Sequence, residues 1–171
     1  MKSVTGVCNE KDSTERERLL WNLRSLPDEL ADLAGPLDDD TLRWRPVPNK
    51  WSVKEILGHL RDFEREAMQY RYRAVLSDDD PYLPRLDNEA RQAEGDYIHW
   101  ETAELLGDIR RLRHESIAIL EHGAAADSWL RTGIHFSAGR LTLEQIVARH
   151  VLHDMTHLGQ VRDIVGLKLL S

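Results

Sequence analysis

His153 and His157 stand four residues apart in a stretch whose apolar residues, Ile146, Val147, Val161 and Ile164, repeat at helical spacing. Side chains at that offset project from one helix face a turn apart. Two imidazoles so placed bring ring nitrogens within chelating range of one ion. A third histidine, His59, follows Ile56 by three residues and precedes Phe63 by four, on the apolar face of another periodic segment. A neutral imidazole in a core needs partners for two ring nitrogens, and one metal ion would serve a nitrogen on each of three rings. Spacing alone leaves the second reading open, in which these are core histidines satisfied by ordinary hydrogen bonds.

Nearby groups are candidates to support such a site. Asp62, three residues beyond His59, could accept the free ring N–H of a ligand histidine and fix its tautomer. Gln160, three beyond His157, could bond a bound water. His150 precedes His153 by three residues on roughly the same side. One helix rarely directs three side chains at a single tetrahedral ion, so His150 reads as a neighbour of the site. The run His153-Asp154-Met155-Thr156-His157 invites comparison with HExxH, but Asp154 stands where that motif has its glutamate base. A third histidine from a distant segment is also unlike a zincin, so a protease is disfavoured.

The elements that must position these residues read as four helices. The first is expected to open at Thr14, with Thr14-x-x-Glu17 as a capping box, and to stack Leu19, Leu23, Leu26, Leu30 and Leu33. Pro27 predicts a kink or restart within it. The second opens at Ser52, with Ser52-x-x-Glu55, and runs to about residue 76; a short helix is expected over 88–94. The third covers about 98–122, stacks Leu105, Ile109, Leu112, Ser116 and Leu120, and ends at Gly123. The fourth opens at Thr142, with Thr142-x-x-Gln145. No segment shows sustained strand alternation. Helices of this length span about 30 Å, so the fold class expected is all-α, an up-down four-helix bundle with long loops. The stretch before Ser52 weakly parallels the stretch before Thr142, a likeness that two related halves or two similarly capped helices would both produce. The domain expected is 14–171, behind a flexible leader at 1–13.

Lys and Arg total 23 against 30 Asp and Glu, a formal charge of −7 without a basic run, which argues against nucleic acid or an anionic membrane as partner. The single Cys8 cannot form an internal disulfide. With no signal-peptide pattern and no apolar run of membrane-spanning length, the expected compartment is the cytoplasm.

Three blocks carry a resemblance to a known family. Residues 45–62 (Arg-Pro-Val-Pro-Asn-Lys-Trp-Ser-Val-Lys-Glu-Ile-Leu-Gly-His-Leu-Arg-Asp) are one. Trp129-Leu130-Arg131 followed by Gly139-Arg140-Leu141-Thr142 is another, and His153-Asp154-Met155-Thr156-His157-Leu158-Gly159-Gln160 is the third. In order and distance they resemble the DinB/YfiT-like superfamily. The resemblance implies a four-helix bundle holding one divalent metal, nickel or zinc, through His59, His153 and His157. It also implies a homodimer acting on a small-molecule substrate. Superfamily activities include transfer of low-molecular-weight thiols such as bacillithiol, mycothiol-dependent isomerisation and a role in ergothioneine synthesis; other members are called metal-dependent hydrolases. Trp51 and Trp129 are expected to plug helix entrances, and Arg131 and His135 could line the mouth of the site.

Three protein ligands leave a tetrahedral ion one open position, as in catalytic sites. No Ser/His/Asp set, activated cysteine or phosphate loop is visible, so the metal would carry the chemistry. Thiol transfer, with a low-molecular-weight thiol as cosubstrate, ranks first, ahead of metal-assisted hydrolysis and a non-enzymatic metal-binding stress-response module.

Overall fold

The computed structural model describes residues 10–123, 125 and 127–170. Cys8 and the first nine residues of the expected leader lie outside them. Helix α1 (Glu10–Ala34) starts inside that leader, so Thr14 stands within the helix and the capping box expected there has no terminus to cap. The helix also runs through Pro27 without a restart. Proline has no N–H for the carbonyl four residues back, which here is Leu23, and Arg113 Nη1 donates to that oxygen at 2.8 Å instead.

After the short helix α2 (Asp39–Arg43), α3 (Val53–Asp62) opens at the predicted Ser52 cap, where both halves of the capping box form. Its continuation is a π-helical turn, Phe63–Met68, leading into α4 (Gln69–Ser77). That turn has no counterpart among the expected elements. Strand β1 (Tyr82–Leu83) and helix α5 (Asn88–Gly95) precede α6 (Thr102–Gly123), which begins later than expected because Tyr97–His99 forms a separate 3-10 turn. Strands β2 (Thr132–His135) and β3 (Gly139–Thr142) form a hairpin that passes directly into α7 (Leu143–Leu169). The order of this sheet is β1-β2-β3, with β1 parallel to β2 and His135 paired with Gly139 across the hairpin. Strands of two to four residues are too short for alternation to be legible, so the all-α expectation needs this small addition. The capping boxes at Ser52 and Thr142 both form, so the two stretches share the same local helix-start chemistry.

The four long rods are α1, α3 with its π turn and α4, α6, and α7. Their apolar stripes make two buried clusters. One gathers Leu26, Leu30, Ile56, Leu60, Ile109 and Val161; the other gathers Leu23, Met68, Tyr72, Leu120, Ile146 and Val147. Between them in sequence on three rods stand buried polar residues: Glu64 after Leu60, Arg113 after Ile109, and His150 and Asp154 after Val147. A bundle normally excludes such groups unless they are paired, and here they pair with one another. Among the described residues no helix is long and apolar enough to cross a membrane.

Candidate metal centre

His59 comes from α3, and His153 and His157 come from successive turns of α7. One nitrogen from each ring lies within 4.8 Å of the others, a grouping that could hold a metal ion. His59 Nε2 and His153 Nε2 are 3.0 Å apart. Ligand nitrogens on a tetrahedral ion with bonds of about 2.0–2.1 Å would be about 3.3 Å apart, so small side-chain adjustments suffice and the donor set fits a divalent cation. All three rings have lowered pKa values. Burial is the main cause for each, and for His59 the neighbouring His157 and His153 add to it, giving about 3; His157 falls to about 4. At neutral pH the rings are uncharged, with a lone pair to offer.

The surroundings hold the rings in place. Gln160 Oε1 accepts a hydrogen bond from His157 Nδ1 at 2.9 Å, which keeps the proton on Nδ1 and leaves Nε2 free. Gln160 thus orients a ring directly. Phe63 stacks on His153, centroids 3.8 Å apart, and Trp51 stands against both His59 and His157 at 5.0 and 6.1 Å. Trp51 is therefore part of the site wall rather than only a plug. Trp129, by contrast, is buried in the core with Arg16 over its ring.

Two other expected supporters are elsewhere. Asp62 faces the Tyr97 turn and α6, where its carboxylate accepts from Tyr97 Oη and Arg61 Nη1, the latter at 2.8 Å. With its oxygens engaged by these partners, it does not orient His59. His150 is buried behind the site: its Nδ1 bonds Tyr72 Oη at 2.7 Å and its Nε2 lies 3.2 Å from Glu64 Oε2.

His150 belongs to a buried network that sequence reasoning missed. Arg113 Nε donates to Glu64 Oε2 at 2.9 Å, and its Nη2 lies 2.8 Å from Asp154 Oδ2. Asp154 Oδ1 is in turn 3.6 Å from His153 Nδ1, too long for a hydrogen bond but close enough to bias the ring electrostatically. Despite burial, the Glu64 and Asp154 carboxyls are held below the usual carboxylate range, chiefly by Arg113. Asp154, at the motif's base position, is turned inward onto an arginine. The available signal was Arg113 and Glu64 falling on apolar stripes.

The triad opens on two sides. A cleft of about 380 Å³ is lined by His153 and His157 with Arg71, Arg85, His135 and Arg149. A second of about 530 Å³ lies beyond His157 and Trp51, against Ile56, Ile164 and Leu167. His135 reaches the mouth, as expected. Arg131 does not: its guanidinium donates to the carbonyls of Val75 and Asp78 at the end of α4, at 2.7 and 2.8 Å.

A sequence profile of the DinB superfamily matches residues 22–161, which include all three histidines. The chain belongs to the DinB superfamily. In fold it is similar to YfiT from Bacillus subtilis, described as a probable metal-dependent hydrolase with an unusual four-helix bundle topology. The TM-score is 0.81 at 18% identity, over 96% of this chain and 91% of that one. No curated protein matches the chain.

Proposed function

We propose that this DinB-superfamily protein is a metal-dependent transferase that joins a low-molecular-weight thiol to an electrophile. Its ion, nickel or zinc, would be held by His59, His153 and His157. A divalent ion there supplies Lewis acidity, lowering the pKa of a thiol or water that it coordinates. The observation that favours thiol transfer is the position of Asp154. Hydrolysis at an HExxH-like motif relies on a carboxylate base beside the ion, whereas here that carboxylate is buried against Arg113. A thiol, already acidic near neutrality, needs a base less than water does. The chain's own residues then orient and exclude: Gln160 fixes His157, Phe63 and Trp51 wall the rings, and the two flanking clefts offer room for two reactants. We also propose that the protein works in the cytoplasm as a homodimer.

Metal-dependent hydrolysis is the second reading, favoured by the description of YfiT. Incubating metal-loaded protein with a panel of small thiols and a chromogenic electrophile, beside an ester, amide and lactone panel, separates the two. Turnover that requires both metal and thiol supports the proposal; turnover of the second panel without thiol overturns it.

A further inference from the structure

The cleft beside His153 and His157 has a charge opposite to that of the chain as a whole. The protein carries a formal −7, yet Arg71, Arg85, Arg149 and His135 line this opening, and none of its described lining residues is Asp or Glu. Arg71 is the telling member. It is only 6% exposed, and buried arginines are nearly always paired with carboxylates. Its Nη2 donates to the Pro84 carbonyl at 2.9 Å and its Nη1 lies 3.6 Å from Met68 Sδ, while Nε has no hydrogen-bond partner. Arg85 and Arg149 have no ion-pair partner among the described residues. Burial and the positive charge of Arg149 both pull the Arg71 pKa down, so the folded chain holds these cations together at a cost that an anion would offset.

His135 adds a donor. The backbone N–H groups of Ser137 and Ala138 point at its Nδ1 at 3.4 and 3.3 Å, which leaves the ring proton on Nε2. The tight β2–β3 hairpin fixes this ring at the cleft, with Gly139 taking the positive φ of 72° that closes the turn.

We propose that this cleft selects substrates by an anionic substituent, a carboxylate or a phosphate, bound by Arg71, Arg85 and Arg149 so that the substrate's reactive group lies toward His153 and His157. The second half of that statement rests on the triad being the reaction centre; the first does not. Guanidinium groups bind both anions through paired, charge-assisted hydrogen bonds.

The test uses metal-free protein, so that failure of the metal reading and failure of this one are distinguishable. Succinate, inorganic phosphate and neutral succinamide are titrated by calorimetry into wild type and into the Arg85→Ala/Arg149→Ala double variant. Both arginines are exposed, so the variant should keep its fold, which circular dichroism checks. The expected result is binding of succinate or phosphate at least about tenfold tighter than succinamide, weakened about tenfold or more in the double variant. The tighter of the two anions identifies the substituent. Succinamide binding as well as the anions, no measurable anion binding, or unchanged affinity in the double variant would overturn the proposal.

Discussion

Replacing Arg113 with methionine should be among the most damaging single changes in the bundle. The side chain is 2% exposed; it donates hydrogen bonds to Glu64 and the Leu23 carbonyl and forms an ion pair with Asp154, all on other helices. Methionine keeps much of the volume but donates nothing. Stranding the buried carboxylates costs about 3–5 kcal/mol, and the orphaned carbonyl about 1–3 kcal/mol, so a loss of roughly 5 kcal/mol is expected. That rivals the whole stability of many domains, about 5–15 kcal/mol. Urea unfolding followed by circular dichroism at neutral pH measures it. The Leu23 share can be isolated, because Pro27→Ala supplies the missing N–H. That change should stabilise the Arg113→Met background by about 1 kcal/mol more than it stabilises wild type. A loss below about 2 kcal/mol, or equal effects of Pro27→Ala in both backgrounds, would show that Arg113 does not hold these groups.

Further outcomes follow from the same geometry. His150→Ala leaves Tyr72 Oη without its buried hydrogen-bond partner and should cost about 2 kcal/mol in urea melts, while elemental analysis finds metal content unchanged. Gln160→Ala frees the His157 ring and should weaken metal affinity about tenfold by competition with a chromogenic chelator. The metal-free protein should lose stability in acid. His59 and His157 titrate near 3 and 4 in the folded chain but near about 6.5 when unfolded. The unfolded state therefore binds more protons, and stability present above that pH falls as pH drops through it toward 4. Thermal melts from pH 8 to pH 4 would show a falling midpoint; a flat profile would contradict the burial of neutral rings.

The four rods were legible because helix periodicity and capping boxes are local signals: Ser52 and Thr142 begin their helices as their sequences say. The triad was legible for a similar reason, since a four-residue offset fixes one helix face and Ile56 and Phe63 mark the face of His59. Asp62 was misplaced because spacing along a helix says nothing of what neighbouring elements offer, here Tyr97 and Arg61. Charged residues are ordinarily read as surface, so Arg113 and Glu64 escaped notice although both fall on apolar stripes. Only packing reveals that they meet Asp154 and His150 at one level of the bundle. The π turn that carries Phe63 onto His153 and Glu64 onto Arg113 has no local signature.

Metal content tests the histidine triad directly. Wild type and the single variants His59→Ala, His153→Ala and His157→Ala, purified from the same medium and confirmed folded, are analysed for bound nickel and zinc. About one ion per chain is predicted in wild type, with a steep loss in each variant, because removing any one ring leaves two ligands where the site needs three. Full occupancy in any of the three variants, or a wild type that retains no ion after loading, would contradict it.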